Sequence, residues 1–330
     1  MMDGLTLDLD QATNGWGNVC HCWTILITRL EIQVKSTNLY ATQTGYGSSH
    51  PFPVPVICSL TEAKNRSLLS DVYRRKMVKE ASETMTLETV RNSLNEQENT
   101  IIYSLIDRAN YPLNPKMYDE SASLIPGFDG SLVKFMVMET EAVHAKCGRY
   151  ENPEELPFFP GNLPSSLVPS QEYPNILHLT ASSINMNESI WDFYFQKLLP
   201  LISAPGEDGN YAKCAASDLN CLQALSRRIH YGKFVAEIKF IETPRDYEPE
   251  IRSQNSSSLM KLLTFEDVEE TVKRRVEKKA AVYGQRVSLV EAEPGQKPKI
   301  DPAVISRLYD EWVMPLTKKV EVEYLLGRLD

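Results

Sequence analysis

The chain predicts an all-α fold, and three observations carry that expectation. From Thr86 onward, apolar residues recur at the spacing of an amphipathic helix, as in Leu87, Val90, Leu94, Ile101, Ile102, Leu105 and Ile106. Helix signals stand at matching places, with Thr86, Thr264 and Asp301-Pro302 at starts and Pro112 and Gly284 at ends. No stretch of residues 83–330 alternates apolar and polar side chains as a half-buried strand requires.

The first predicted helix opens at Thr86 and ends before Pro112. Ser131 to Gly148 reads as the second, with Leu132, Phe135, Val143 and Cys147 on its core side. Pro153 to Pro174 is a proline-punctuated connector whose aromatics, Phe158, Phe159 and Tyr173, suit an ordered path. Asn187 to Leu201 forms a third helix around Trp191, Tyr194, Phe195 and Leu198, followed by a turn over Gly206 to Asn210. Asp218 is expected to open the next helix, which runs through Cys221 to Phe240. Thr264 should cap a long helix from Phe265 to Tyr283, and its basic run Lys273 to Lys279 reads as solvated surface. In the last helix, Pro315 predicts a kink. Residues 83–330 are expected as one domain.

Residues 1–82 have another character. They cluster Gly, Ser, Thr, Asn and Pro without sustained periodicity, and read as an extension that is disordered or loosely attached. A transit peptide is the other reading. Gln33 to Ser59 is Ser/Thr-rich and free of acids, but the start carries Asp3, Asp8 and Asp10, with no Lys or Arg before Arg29. Cys20-His21-Cys22 supplies half of a structural zinc site and has no second pair nearby.

Totals exclude several classes. A net charge of −9 over 330 residues argues against nucleic acid as partner and against a polybasic membrane anchor. The longest apolar candidate, Trp23 to Leu30, falls far short of the ~20 residues that span a bilayer. Six cysteines without regular spacing suit reduced thiols in a reducing compartment. There is no GxGxxG, GxSxG, HExxH or CxxC pair, which points to a site working without cofactor, metal or nucleophile.

The stretch Cys221 to Phe240 concentrates the chemistry. As a helix it places Arg228, Gly232, Val235 and Lys239 on one stripe. Arg228 and Lys239 then stand roughly 16 Å apart along the axis, leaning over a gap that Gly232 keeps open. A guanidinium fork at one end and an ammonium at the other make a cradle for a small dianion. A solvated charged face is the alternative, but Leu222, Leu225, Ile229 and Phe240 border the stripe and favour partial burial. His230 lies off the stripe and reads as a packed or surface histidine.

SRRIHYGKFVAEIKF (Ser226 to Phe240), TVRNSL (Thr89 to Leu94), GRYENPEELPFFP (Gly148 to Pro160), TFEDVEE (Thr264 to Glu270) and PLTKKVEVEYLLGRLD (Pro315 to Asp330) together resemble the all-helical chorismate mutases of plants and fungi. The resemblance spans residues 83–330 in order. It implies a cofactor-free homodimer that rearranges chorismate to prephenate on the route to Phe and Tyr. By this resemblance Arg91 and Arg228 bind substrate carboxylates. Lys239 donates to the ether oxygen, and a protonated Glu321 donates to the same atom. Glu269 holds the ring hydroxyl and Thr317 lines the substrate. Fungal members carry Asn where this chain has Phe265. Their Glu-Asp pair on the first helix is here Glu98-Asn99, expected to alter only helix-surface charge. A different class, a catalytically inactive helical paralogue acting as a regulatory partner, is the alternative; retention of the whole residue set argues against it.

The resemblance also bears on regulation. Regulated members hold an amino-acid effector at the dimer interface, where a Gly-Ser pair lets backbone approach the ligand. This chain reads Asn210-Tyr211-Ala212-Lys213, with Ala216 one turn later, and Gly148-Arg149 where fungal enzymes have two arginines. These substitutions imply an effector-insensitive enzyme like the cytosolic plant form, hence a cytoplasmic location, with the plastid as alternative.

Overall fold

The computed structural model describes residues 85–121, 124–174, 176–285 and 298–329. The expected extension over 1–82, its transit-peptide reading and Cys20-His21-Cys22 lie outside the described residues. Every regular element described is helical: α1 Leu87–Arg108, α2 Leu132–Lys146, α3 Asn187–Phe193, α4 Leu199–Ile202, α5 Tyr211–His230, α6 Gly232–Glu242, α7 Pro244–Arg252, α8 Ser256–Leu263, α9 Glu266–Tyr283, α10 Pro302–Leu308 and α11 Met314–Leu326. α1 lies along α5, α6 along α11, α8 against α11, and α9 against both α1 and α10.

Local chemistry accounts for most boundaries. At the start of α1, Thr86 and Thr89 cap each other reciprocally, each hydroxyl accepting from the other's backbone N–H at 3.2 and 2.9 Å. Ser131 caps α2, and Asp301 caps α10 with Pro302 in its first turn. Two further starts differ from expectation. α5 begins at Tyr211, so Asp218 is interior to it and fully buried. There it accepts from Arg108 Nε at 2.6 Å, Tyr118 OH at 2.6 Å and Tyr194 OH at 2.7 Å, joining α1 to α5. Thr264 does not cap α9. Its hydroxyl donates back to the carbonyl of Met260 at 2.8 Å, closing α8, and Phe265 stands at the N-cap.

Two π turns interrupt longer helices. Tyr194–Leu198 joins α3 to α4, and Tyr309–Val313 joins α10 to α11. Each is followed two residues later by a proline, Pro200 or Pro315. A proline has no N–H to give and its ring crowds the preceding turn. The wider turn absorbs both problems, with Leu199 N–H donating to Tyr194 and Met314 N–H to Tyr309. The kink expected at Pro315 is thus met by a π turn just ahead of it.

The core gathers Ile101, Ile102 and Leu105 of α1, Leu222, Leu225 and Ile229 of α5, and Val320, Tyr324 and Leu325 of α11. A smaller cluster sets Val90 of α1 against Tyr231, Phe234, Val235 and Ile238. Val143 and Cys147, expected in the core, are exposed. α2 buries Val133, Val137, Glu141 and Ala145, an i, i+4 row from which both residues are rotated away. The sequence reading gives no element to residues 241–263, which fold as the end of α6 and as α7 and α8.

Glu98 is fully buried, not a surface charge. It pairs with Arg275 at 2.5 Å and Lys279 at 3.0 Å, fastening α1 to α9. The basic run is therefore divided. Arg275 and Lys279 turn inward to Glu98, while Lys273 and Arg274 pair on the surface with Glu270.

Candidate active site

The organising stretch is two helices, α5 and α6, joined at Tyr231, whose backbone stays right-handed helical (φ −61°, ψ −14°). Arg228, in the last turn of α5, is 5% exposed. Its Nη1 donates to Thr317 Oγ1 at 3.3 Å, and Thr317 in turn donates to the carbonyl of Val313 at 2.7 Å. Its Nε is buried with no acceptor among the described residues. A buried guanidinium donor left free inside the chain is what an anionic ligand would satisfy.

Lys239, at the far end of α6, donates to Glu321 Oε2 at 2.9 Å. Glu321 and Thr317 lie one turn apart on α11. Burial pushes the Glu321 carboxyl above its ordinary range, while Lys239, Arg228 and Lys318 pull the other way. Lys318, on the same turn, pairs with Glu269 of α9 at 2.9 Å. Arg228, Thr317, Lys239, Glu321 and Glu269 are thus brought together by α5, α6, α9 and α11. Arg91 is not. It is exposed, and its side chain makes no hydrogen bond or ion pair among the described residues. Its neighbour Val90 packs on Tyr231 and Val235, which puts Arg91 on the helix bordering the site.

Gly232 does something other than expected. A Cβ there would come within 2.9 Å of the Thr317 carbonyl oxygen and 3.3 Å of Glu321 Cγ. The space beside it is filled by α11, so the glycine permits a close helix approach instead of holding a gap. Sequence reasoning also missed the role of Phe265, whose ring lies 5.5 Å from the Lys239 ammonium. It missed Tyr309 as well, a fully buried hydroxyl with no partner among the described residues that feels the charge of Arg228. The proline pattern marked the π turn carrying Tyr309; nothing local marked Phe265. His230 is packed and neutral. Nε2 accepts from Met186 N–H at 2.7 Å, Nδ1 donates to the Ser226 carbonyl at 2.8 Å, and burial brings its pKa down to about 3.

The candidate effector positions sit elsewhere. Gly148 adopts φ +79° after α2. Arg149 is held by Glu155 at 2.8 Å and donates to Gln223 of α5 at 2.9 Å. Asn210 precedes α5 and bonds to Asp208, and Ala212, Lys213 and Ala216 are exposed on its first two turns.

A family model described as chorismate mutase type II matches residues 210–322. Chorismate mutase 2 of Arabidopsis thaliana is 57% identical over 252 residues, covering 76% of this chain and 95% of its own. The cytosolic chorismate mutase 2 of Zea mays is 50% identical, covering 74% of this chain and 97% of its own. The crystal structure of AtCM1 with tyrosine bound in its allosteric site superposes with a TM-score of 0.68 at 50% identity, covering 75% of this chain and 98% of that one.

The close approach at Gly232 is open to test. Gly232→Ala should force α11 outward and cost about 1–3 kcal/mol, as overpacking does. Turnover should fall at least tenfold, on the order of the loss when a site residue is displaced by about an ångström. Urea denaturation and a turnover assay check both; an alanine variant with native stability and rate contradicts the contact.

Proposed function

The chain belongs to the type II chorismate mutases, and from that membership we propose how its own residues carry the rearrangement of chorismate to prephenate. The observation that carries the proposal is the buried meeting of Arg228, Thr317, Lys239 and Glu321. The reaction is intramolecular: a C–O bond breaks as a C–C bond forms. It needs no acid, base or nucleophile in principle. A protein accelerates it by holding the enolpyruvyl arm over the ring and by stabilising negative charge on the ether oxygen as its bond lengthens.

Chorismate carries two carboxylates. Arg228, with its free Nε, takes one, and Arg91 takes the other from the bordering helix. Lys239 donates to the ether oxygen. Protonated Glu321 gives a second hydrogen bond to that atom, whereas an ionised Glu321 would repel the developing charge. Glu269, oriented by Lys318, accepts from the ring hydroxyl, and Thr317 lines the ring. Phe265 stands where fungal members have Asn, and its ring covers the Lys239 ammonium in place of a polar contact. No metal or cofactor enters this scheme.

The primary test is conversion of chorismate to prephenate by the purified protein. Arg228→Ala and Lys239→Ala should each lower kcat/KM by about 10²–10³, the usual cost of removing a preorganised electrostatic contact. Helix content should persist, since Ala is the best helix former. Near-native kcat/KM in either variant removes that residue from the scheme.

Glu321 sets the pH dependence. Its carboxyl is already raised by burial, and a bound dianion raises it further. The active form is protonated, so the rate is full below the Glu321 pKa and falls as pH rises through it. Glu321→Gln supplies a donor that does not titrate. A pH–rate series on that variant should lack the alkaline fall; the same fall in both proteins contradicts the role.

We further propose a cytoplasmic homodimer insensitive to aromatic amino acids. Exposed Val143, Leu167 and Val168 offer apolar surface beside Gly148, suited to a second copy. Insensitivity is supported by Arg149, which Glu155 and Gln223 already occupy, and by Ala212, Lys213 and Ala216 in place of small or hydroxylated residues. The cytosolic Zea mays relative fits the same reading. Prephenate formation at subsaturating chorismate should be unchanged by Phe, Tyr or Trp. Inhibition by Phe or Tyr, or activation by Trp, overturns it and favours the plastid alternative.

A further inference from the structure

Beyond the substrate-facing residues, one buried carboxylate joins the two helices that carry Lys239 and Glu321. Glu237 lies two residues before Lys239 on α6 and is 2% exposed. It accepts a fork from Arg328, Nε at 2.6 Å and Nη2 at 2.9 Å, and a third bond from Tyr324 OH at 2.6 Å. The Tyr324 oxygen accepts from His178 N–H at 2.9 Å. The Arg328 guanidinium also lies 4.9 Å over the Phe240 ring. Helix ends ordinarily fray. This one is stitched at several points, including the Leu326 carbonyl, which accepts from Gln254 at 3.0 Å.

The placement is what matters. α6 and α11 run in the same direction, Gly232 meeting Thr317 and Glu321 while Glu237 and Phe240 meet Tyr324 and Arg328. Glu321 and Tyr324 are neighbours on one face of α11. We propose that Glu237 is a positioning residue for the rearrangement, locking the last turn of α11 to α6 and so setting the reach between Lys239 and Glu321. It touches no substrate and acts through Tyr324 and Arg328. This rests on the reading of Lys239 and Glu321 as the pair that acts on the ether oxygen.

The distance between that pair has a direct readout. Glu321 faces Lys239 of α6, Arg228 of α5, Tyr247 of α7 and Lys318 of its own helix. Lys239, the closest, favours the ionised form. If the clamp is released and Lys239 moves off, the Glu321 midpoint rises. The experiment is carboxyl ¹³C NMR titration of the full chain labelled at Glu, with the Glu321 signal assigned by its loss in Glu321→Gln. In Glu237→Gln, and in the milder Tyr324→Phe should the first fail to fold, the midpoint should rise by about half a unit or more. kcat should fall about tenfold with KM within about twofold, since the lost interaction is made in the transition state. Val137→Ala, a core truncation on the distant α2, should lower stability and leave the midpoint alone. An unmoved midpoint in Glu237→Gln and Tyr324→Phe, or an equal movement in Val137→Ala, overturns the positioning role. Failure of the wild type to form prephenate overturns the functional reading instead, and the midpoint still decides whether Glu237 governs the pair.

Discussion

The site depends on how closely α11 can lie against α6. Gly232 is the point of contact, where even a methyl group would reach the Thr317 carbonyl oxygen at 2.9 Å. Glycine inside a helix costs roughly 1 kcal/mol against alanine. Here that cost is offset by bringing Thr317 and Glu321 within reach of Arg228 and Lys239. The Thr317–Arg228 bond, the Lys239–Glu321 pair and the Lys318–Glu269 pair all follow from it.

Several buried charges among the described residues are paired across segments remote in sequence. Arg108 meets Asp218, Glu98 meets Arg275 and Lys279, and Glu237 meets Arg328. Buried pairs of this kind add little net stability against well-packed apolar residues. What each fixes is which residue faces which, since breaking one leaves a charge without a partner. Arg228 is the contrast: its Nε is buried with no acceptor among the described residues, and the proposed function sets a substrate carboxylate there.

The helical class was legible because periodicity and caps agreed, as at Thr86 and Asp301. The candidate site was legible as a set of residues, through a helix stripe and a collinear resemblance. Its geometry was less so. Asp218 looked like a cap because an acidic residue before an apolar run is a start signal, yet three donors converge on it from distant segments. Glu98 and the Lys273–Lys279 run looked solvated because their partners lie far along the chain. Gly232 was noticed but given the opposite sense, since a missing side chain can signal either room or contact. Phe265 and Glu237 carry no local signal, for their roles exist only once α6 has met α9 and α11.

The π turn at Tyr309–Val313 has a bearing on how the candidate site's face is specified. A π turn closes its ring one residue later than an α turn. The turn therefore fixes the rotational phase of everything after it. The same residues wound as a plain α-helix would carry Thr317 and Glu321 about 100° further around the axis. The helix would survive and its chemistry would face elsewhere. In this protein the identity of a candidate site residue and the winding of the turn that precedes it are two separate requirements, and Pro315 helps to hold the second.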